Sequence, residues 1–178
     1  QLIALLTALP WIGYAKDLNP ASVEIRQRFW QWSLMARALV PTVLAHDSRI
    51  VSITGSQGSG KSTLARMLVQ QFEAQGVTAA CVSLDDFYLS KQHRANLGHS
   101  VHPLLATRGV PGTHDTGRLG EVLDQFAYSK GTLNIRLPQF DKGLDDRMED
   151  LHVEAEVLVF EGWCLGVQPQ PADLLQQP

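Results

Sequence analysis

Cysteine, long apolar runs and clusters of basic residues are all scarce in this sequence. The 178 residues include two cysteines, Cys81 and Cys164, which lie in apolar stretches without the spacing of a zinc site. We therefore expect free thiols in a reducing compartment, and a fold built on disulfides is excluded. The apolar segment 2–9 is too short to span a bilayer and lacks the basic start of a signal peptide. Together these features predict a cytoplasmic protein.

The charge balance also excludes classes of partner. The net charge is −3, and no run of Lys or Arg is present. We therefore expect neither nucleic acid nor a membrane as a partner. With 44% hydrophobic and 19% charged residues, the composition is typical of a globular protein. The length suffices for a sizeable core. The sequence leaves the oligomeric state open.

Residues 55–62 follow the pattern G-x-x-x-x-G-K-[ST], a phosphate-binding loop. The preceding residues 49–54 predict a short buried strand, and residues 63–69 predict a helix. This strand–loop–helix order is the context that the pattern requires. The predicted nucleotide-binding residues are Gly55, Ser56, Gln57, Gly58, Ser59, Gly60, Lys61, Ser62 and Thr63.

The residue types in this loop suit a triphosphate. Glycines let the backbone approach the ligand, so that successive N–H groups and the helix start bind its negative charge. Lys61 is expected to reach the β- and γ-phosphates, and the Ser62 hydroxyl to bind Mg²⁺. The sequence lacks the Asn-Lys-x-Asp motif of GTPases and the Ser-Gly-Gly-Gln signature of ABC-type ATPases. A nucleotide-dependent switch is therefore disfavoured.

The chain divides at about residue 48 into a helical part and an α/β part. Asn19-Pro20 marks a break, after which Ser22 is expected to cap a helix that ends near Val40. Its apolar face is predicted from helical spacing at Ile25, Phe29, Trp32, Ala36 and Leu39, widened by Trp30 and Leu34. We interpret residues 1–48 as an N-terminal helical extension that packs on the main domain. A partner-binding or lid helix is the alternative.

From residue 49 onward, predicted strands alternate with predicted helices. Such alternation predicts a three-layer α/β fold, a mostly parallel sheet flanked by helices, over residues 49–178. The predicted strands are 78–84, 132–137 and 157–160, the predicted helix is 117–128, the long functional loop is 91–115, and the irregular charged segment is 139–150.

Acidic residues follow two of these strands. Ligands of parallel sheets bind at the carboxyl ends of the strands, so Gly55, Asp85 and Glu161 are expected to converge there. Asp85 is predicted to orient an acceptor hydroxyl and take its proton. The alternative is that Asp85 and Asp86 cap the following turn. Glu161 is predicted to serve the Mg²⁺ site, through a metal-bound water because the usual acid there is Asp.

Two further polar clusters are candidates for recognition of the acceptor. In residues 108–115, two glycines and a proline fix a backbone that presents Thr113, His114 and Asp115. The second cluster covers residues 140–147, where cations are suited to bind an acid or the transferring phosphate. A solvated charged loop is the alternative for this second cluster.

Together the motifs resemble the D-glycerate 3-kinase family of plants and fungi and its bacterial kinase-like relatives, in the phosphoribulokinase/uridine kinase group of P-loop kinases. The resemblance covers about residues 49–167. It rests on the segments 55–62, 83–88, 109–115, 137–142 and 160–166, of which Pro-Gly-Thr-His-Asp and Phe-Glu-Gly-Trp are the most specific.

The resemblance implies an ATP-dependent, Mg²⁺-assisted transfer of phosphate to a small hydroxylated acceptor, with D-glycerate favoured. A uridine kinase-like or pantothenate kinase-like enzyme, or an ATP-binding protein without transfer activity, are the alternatives. By similarity Lys61 and Asp85 are catalytic, and Ser62 and Glu161 serve the metal. The candidate substrate residues are Asp86, Tyr88, Arg108, Thr113, His114, Asp115, Asp141, Lys142 and Arg147. The family pattern continues beyond Glu-Gly-Trp, so we expect a domain that is incomplete at its C-terminus.

Overall fold

The computed structural model describes residues 23–168 and residue 171, except for the side chains of residues 23–26 and 28. The predicted break at Asn19-Pro20 and the predicted cap Ser22 lie outside the described residues. The described helices are α1 (Val23–Ala45), α2 (Lys61–Ala74), α3 (Lys91–Ser100) and α4 (Thr116–Tyr128), with 3-10 turns at Leu84–Phe87 and Pro103–Ala106. The described strands are β1 (Ile50–Thr54), β2 (Ala79–Ser83), β3 (Leu133–Leu137), β4 (Phe140–Asp141), β5 (Asp146–Arg147), β6 (Leu151–Ala155) and β7 (Val157–Gly162).

A parallel sheet with the strand order β1-β7-β2 forms the centre of the fold. Val159 of β7 lies between Val51 of β1 and Cys81 of β2. All six residues of β7 are buried, as expected for a strand with neighbours on both edges and helices on both faces. Two antiparallel pairs, β3–β6 and β4–β5, complete the described sheets. The predicted α/β class is therefore confirmed.

Strand β7 supplies side chains to two apolar cores. Val157 and Val159 point to one face and pack with α1 and α2, including Ala36 and Phe72. Leu158 and Phe160 point to the other face, where they pack with a core that includes Phe126 of α4. The alternation of side chains along a strand produces this division. Helices α1 and α2 therefore cover one side of the sheet, and α4 covers the other.

Helix α1 buries part of the predicted face, since Ala36 lies in the core and Phe29 and Trp32 pack against it. Ala36 and Val40 are fully buried, whereas Leu34 and Leu39 are 47% and 40% exposed. The helix also continues past the predicted end near Val40 to Ala45, with Pro41 inside it. The prediction placed Leu34 and Leu39 on the packed face because both are apolar and lie close to the helical spacing of that face. The narrow contact with α2 instead selects one side of the helix.

The predicted long loop 91–115 contains a helix, so that part of the prediction was wrong. Helix α3 begins after Ser90, whose hydroxyl accepts the backbone N–H of His93 as an N-cap. Arg94 is completely buried in this helix. An apolar period is absent from α3, because a buried guanidinium takes the place of an apolar anchor. Periodicity therefore gave no helix signal here.

Strand β6 and the β4–β5 hairpin were also missed. The segment 139–150 was predicted to be irregular, and no strand was predicted between residues 138 and 156. The structure pairs β6 with β3 in an antiparallel register, with Val153 beside Ile135. Strand β6 alternates charged and apolar residues, and of its residues only Ala155 is fully buried. The short hairpin pairs Phe140 with Arg147.

Two further predictions concern the cysteines and membranes. Cys81 and Cys164 are both free thiols. Burial, with the negative charge of Glu161 adding to it, raises the pKa of Cys81 to about 12, so this thiol is unreactive near neutral pH. No helix in residues 23–168 is both long and apolar enough to cross a bilayer.

Candidate active site

A cavity of about 620 Å³ opens at the carboxyl ends of β1, β7 and β2. The phosphate loop and Glu161 form one side of it, which we call the nucleotide side. The turn after β2, the residues before α4 and the β4–β5 hairpin form the other side, which we call the acceptor side. Predicted residues that line the nucleotide side are Gln57, Gly58, Lys61, Ser62 and Glu161. Those that line the acceptor side are Asp85, Tyr88, Arg108 and Lys142.

The phosphate loop adopts a backbone that requires glycine. Gly58 and Gly60 have φ values of 73° and 89°, in the left-handed region, and Gly60 is the N-cap of α2. The Lys61 Nζ donates to the carbonyl of Ser56 at 2.9 Å, which folds the lysine back over the loop. Other predicted loop residues shape the turn without lining the cavity: Gly55, Ser56, Ser59, Gly60 and Thr63.

Helix α1 supports this loop from behind. A Cβ at Gly60 would lie 2.8 Å from Cζ2 of Trp32, which is closer than two carbon atoms can approach. Trp32 also packs against the core beneath α2. The sequence placed Trp32 on an apolar helix face but gave no sign that it contacts the phosphate loop. The missing side chain at Gly60 therefore leaves room for the Trp32 ring.

The Ser62 hydroxyl and the Glu161 carboxylate form the predicted metal-side pair. Ser62 Oγ donates to Glu161 Oε1 at 2.8 Å, and Glu161 is only 6% exposed. In the described chain no group of three or more His, Cys, Asp or Glu residues is arranged to hold a metal by itself. Mg²⁺ commonly takes one or two protein oxygens and completes its shell with phosphates and water. The hydroxyl–carboxylate pair beside the phosphate loop therefore fits Mg²⁺.

Asp85 lies on the 3-10 turn that follows β2. Its Oδ2 accepts from Lys142 Nζ at 2.6 Å. The Tyr88 hydroxyl lies beside the same carboxylate: burial, then the charge and hydrogen bonding of Asp85, raise the pKa of Tyr88 to about 12. A carboxylate, a cation and a protonated phenol therefore meet on the acceptor side.

Asp86 stabilises the turn that carries Asp85. Its Oδ2 accepts the backbone N–H of Ser83 at 2.9 Å, and the Ser83 hydroxyl accepts the backbone N–H of Asp85, which together make a capping box. Burial raises the pKa of Asp86, against the opposing effect of backbone N–H groups that include that of Phe140. Asp86 does not line the cavity, so its position matches the capping interpretation.

The Thr113–Asp115 segment lies behind the cavity wall. It pairs with the backbone of Tyr88, since the two flanking N–H groups of Leu89 and Asp115 bond across the bridge between Tyr88 and His114. The buried Thr113 hydroxyl donates to the carbonyl of Val110 at 2.6 Å and fixes the turn. None of Thr113, His114 and Asp115 lines the cavity.

His114 stacks on the Tyr88 ring, with 4.2 Å between ring centroids and 25° between planes. Its Nε2 is buried and has no hydrogen-bond partner among the described residues. Burial lowers the pKa of His114, and the charge of Asp85 opposes this effect. The lowered pKa favours a neutral imidazole, and this ring supports Tyr88 by stacking on it.

Asp115 and Arg147 clamp the backbone of the same wall. Asp115 accepts the backbone N–H of Arg118 at 3.0 Å as the N-cap of α4, and it accepts from Arg147 Nη2 at 2.7 Å. Arg147 Nε also donates to the Tyr88 carbonyl at 2.8 Å. Burial acts to raise the pKa of Asp115, but these hydrogen bonds and charges lower it. Both side chains therefore support the acceptor side without lining the cavity.

Asp141 stabilises the β4–β5 hairpin. Its Oδ1 accepts the backbone N–H groups of Gly143 and Leu144, at 2.7 and 2.9 Å. Lys142 and Arg108 are brought to the cavity by this hairpin, because Arg108 Nη1 donates to the Lys142 carbonyl at 3.1 Å.

Four residues that line the cavity were not among the predicted site residues: Ser83, Gly109, Gly162 and Trp163. The Phe-Glu-Gly-Trp stretch contained the signal for two of them. A Cβ at Gly162 would lie 2.9 Å from the Leu84 Cβ, so the strand can approach the turn only with glycine there. The indole of Trp163 is 47% exposed at the rim.

Known proteins resemble this chain in sequence and in fold. An uncharacterized kinase of Schizosaccharomyces pombe is 33% identical over 138 residues, which cover 71% of this chain and 50% of the relative. The chloroplastic D-glycerate 3-kinase of Arabidopsis thaliana is 32% identical over 139 residues, which cover 71% of this chain and 30% of the relative. The chain thus spans half or less of the length of these curated relatives.

A solved structure of D-glycerate 3-kinase from Cryptococcus neoformans var. grubii superimposes with a TM-score of 0.60 at 29% identity, covering 88% of this chain and 57% of that chain. The family model of the phosphoribulokinase/uridine kinase family matches residues 50–176, which include the phosphate loop, Asp85 and Glu161. This chain therefore belongs to the phosphoribulokinase/uridine kinase family.

Proposed function

We propose that this protein is an ATP-dependent, Mg²⁺-assisted kinase that transfers the γ-phosphate to a hydroxyl of a small acceptor, with D-glycerate as the favoured acceptor. One observation carries the proposal. The phosphate loop, the Ser62–Glu161 pair and the Asp85 carboxylate line one cavity, so a nucleotide and an acceptor can meet in it. A binding module for nucleotide alone would have no need for Asp85 at that position.

The nucleotide side is suited to hold the triphosphate. The loop N–H groups and the start of α2 carry partial positive charge, and Lys61 adds a full one. In the structure Lys61 Nζ bonds to the Ser56 carbonyl, so exchanging that weak partner for a phosphate oxygen needs only a side-chain movement. Mg²⁺ held by Ser62 and Glu161 would offset the charge that develops on the phosphate oxygens.

The acceptor side is suited to activate a hydroxyl. The hydroxyl oxygen of the acceptor forms the new bond to the γ-phosphorus, and Asp85 accepts the proton of that hydroxyl. The bond between that phosphorus and the bridging oxygen breaks, and ADP leaves with the electron pair. Lys142 holds the Asp85 carboxylate at the cavity before transfer, because its Nζ lies 2.6 Å from Asp85 Oδ2. Tyr88 presents a second polar group to the same carboxylate.

D-glycerate is favoured for two reasons. Relatives named D-glycerate 3-kinase match both the sequence and the fold. The acceptor side also contains cations, Arg108 and Lys142, as an acidic substrate requires. A cytoplasmic location is part of the proposal, supported by the free thiols Cys81 and Cys164.

Replacement of Asp85 tests the transfer step. Asp85→Asn keeps the shape of the side chain and removes the base, so kcat should fall by about 10²- to 10⁴-fold while ATP affinity changes little. Asp124→Asn, on the exposed side of α4, is the matched control and should retain the activity. ADP release and nucleotide affinity are measured separately for each variant. Unchanged turnover in Asp85→Asn would remove Asp85 from this role.

An acceptor panel tests the substrate. A coupled assay of ADP release should show ATP consumption that depends on D-glycerate. Activity with only a nucleoside or pantothenate would contradict glycerate and assign the chain to a sister kinase. Tight ATP–Mg²⁺ binding with no phosphorylated product from any hydroxy acid, sugar or nucleoside would instead show an ATP-binding protein without transfer activity.

A further inference from the structure

One cationic side chain of the cavity neither belongs to the phosphate loop nor pairs with Asp85. Three cationic side chains of the described chain line it: Lys61, Arg108 and Lys142. Lys61 belongs to the phosphate loop. Lys142 Nζ forms an ion pair with Asp85 Oδ2 at 2.6 Å. Arg108 remains as the cation available to an acceptor.

Two other arginines near the acceptor side are held by other groups of the protein. Arg147 uses Nε and Nη2 to hold the Tyr88 carbonyl and Asp115. Arg94 is completely buried, and its guanidinium donates to the carbonyls of Leu89, Ala106 and Asp145. Neither of these arginines lines the cavity.

Arg108 is fixed along one edge and open along the other. Its Nη1 donates to Asp145 Oδ1 at 2.6 Å and to the Lys142 carbonyl at 3.1 Å. Its Cζ lies 5.9 Å from the centroid of the Phe140 ring, which supports the plane of the guanidinium. Among the described residues, nothing accepts from Nε or Nη2 of Arg108. Two N–H groups on one edge of a guanidinium match the two oxygens of a carboxylate.

Asp145 holds Arg108 in this orientation. Its Oδ1 lies 2.6 Å from Arg108 Nη1 and 3.0 Å from Arg94 Nη2, so one carboxylate joins a buried arginine to an arginine of the cavity. Asp145 has a φ of 57°, which is a left-handed backbone conformation that Asp and Asn adopt more readily than most residues. The two arginines and one aspartate leave a net positive charge at the cavity wall.

The open edge of Arg108 is close to the reacting groups. Lys142 links Arg108 to Asp85, since its Nζ donates to the Asp85 carboxylate and its carbonyl accepts from Arg108. The neighbouring Gly109 has no side chain, and a Cβ there would lie 3.8 Å from the Tyr88 hydroxyl. The missing side chain at position 109 leaves space for an acceptor that reaches from Arg108 to Asp85.

We propose that Arg108 binds the carboxylate of the acceptor and that Asp145 is the positioning residue that holds Arg108 for this contact. The site then selects small hydroxy acids over neutral alcohols and nucleosides. This inference rests on the proposed kinase function and adds the origin of its selectivity.

The first test compares an acid with its neutral amide. D-glycerate and D-glyceramide have the same hydroxyl groups and differ in charge. In Arg108→Met the KM for D-glycerate should rise by about 10- to 100-fold, the effect of losing hydrogen bonds to a charged group. The KM values for D-glyceramide and for ATP should not change. Arg136→Met removes one positive charge from an exposed position of β3 and is the matched control, with wild-type constants.

Two milder variants test the geometry. Arg108→Lys keeps the charge but loses the planar pair of donors, so the KM for D-glycerate should rise less than in Arg108→Met. Asp145→Asn keeps the left-handed backbone but removes the charge that fixes Arg108. It should raise the KM for D-glycerate several-fold and leave that for D-glyceramide unchanged. Equal increases for the acid and the amide would show a purely structural role and overturn the assignment of Asp145.

A binding measurement separates failure of this inference from failure of the proposed function. Calorimetric titration of D-glycerate into the full chain, saturated with a non-hydrolysable ATP analogue, needs no turnover. If the wild type releases no ADP with any acceptor, the kinase proposal fails, and a loss of D-glycerate binding in Arg108→Met still supports the subsite. If the wild type turns over but Arg108→Met binds and uses D-glycerate normally, the subsite is overturned and the kinase proposal stands.

Discussion

On the nucleotide side of the cavity one contiguous loop supplies most of the lining groups. On the acceptor side three separate segments meet through charged side chains. The loop 55–62 presents backbone groups whose positions follow from two glycines with positive φ and the start of α2. The acceptor side depends on ion pairs between residues far apart in sequence, such as Asp85 with Lys142 and Asp115 with Arg147.

The difference has consequences for stability. A backbone nest tolerates the loss of a side chain, because the N–H groups stay in place. An assembly of ion pairs couples recognition to folding, because each charge that binds substrate also has a structural neighbour. Truncation of a side chain of the phosphate loop should therefore change activity alone. Replacements on the acceptor side should change activity and stability together.

The largest effect is expected from Lys61→Met. Removing this charge from the phosphate site should lower kcat by about 10²- to 10³-fold, or about 3–4 kcal/mol of transition-state stabilisation. The unfolding free energy should change little, because the exposed hydrogen bond to the Ser56 carbonyl is the bond that the side chain loses. ADP release and urea unfolding are measured in parallel, with exposed Lys130→Met as the control. A large loss of stability in Lys61→Met would break the proposed contrast between the two sides.

Arg94→Met gives the corresponding test on the acceptor side. The variant leaves three carbonyls without their donor, and each costs about 1 kcal/mol or more. We expect a loss of about 3 kcal/mol in unfolding free energy, together with a higher KM for D-glycerate because Asp145 loses its buried anchor. Arg118→Met, which breaks more exposed ion pairs, should cost about 1 kcal/mol or less. Equal losses for the two arginines would show that burial of Arg94 contributes nothing special.

A pair of glycine variants tests the support of the phosphate loop by α1. Gly58→Ala and Gly60→Ala both place a Cβ at positive φ, which costs about 1–2 kcal/mol. At Gly58 the new Cβ meets nothing within 4 Å, but at Gly60 it meets Trp32. Gly60→Ala should therefore lose about 1–3 kcal/mol more than Gly58→Ala in unfolding free energy.

Trp32→Ala sharpens this comparison through a double-mutant cycle. In the Trp32→Ala background the two alanine variants should become alike, since the ring that Gly60 accommodates is gone. Thermal unfolding and nucleotide affinity are measured for all six proteins, the two backgrounds without and with each alanine. If the excess cost of Gly60→Ala persists without the indole, the contact between α1 and the loop is not its cause.

The two sides also differ in how far the sequence alone predicts them. The phosphate loop was predicted because its physics is local: glycines, a lysine and a serine lie at fixed spacing between a strand and a helix. The convergence of Asp85 and Glu161 followed from one rule, that parallel strands end at one edge. Both β2 and β7 contain the apolar runs that make such strands visible.

The parts that were missed depend on contacts between distant segments. Helix α3 has a buried Arg94 in place of an apolar stripe, and only the partners of that arginine reveal its role. Asp86, Asp115 and Asp141 accept backbone N–H groups of a turn, a helix start and a hairpin, and these roles depend on backbone geometry that a list of polar residues does not contain. Asp145 had no motif at all, because its importance comes from lying between Arg94 and Arg108.

The smallest expected effect concerns pH and the imidazole behind Tyr88. Burial lowers the pKa of His114 below the usual 6.5, so the unfolded chain takes up this proton at a higher pH than the folded protein does. The stability that this residue contributes is fully present above about pH 6.5 and is lost as the pH falls through the lower folded value. Acids with lowered pKa values, such as Asp115 and Asp145, lose their contribution to stability only in a more acidic range.

The variant His114→Phe keeps a ring stacked on Tyr88 and removes the titration. Its unfolding free energy should therefore fall less than that of the wild type between about pH 7.5 and about pH 5.5, a range that includes the usual histidine pKa of about 6.5. The other histidines are common to both proteins and cancel in the difference. Parallel curves of unfolding free energy against pH for the two proteins would show that protonation of His114 does not destabilise the folded state. The imidazole behind Tyr88 would then be more accessible to water than its contacts indicate.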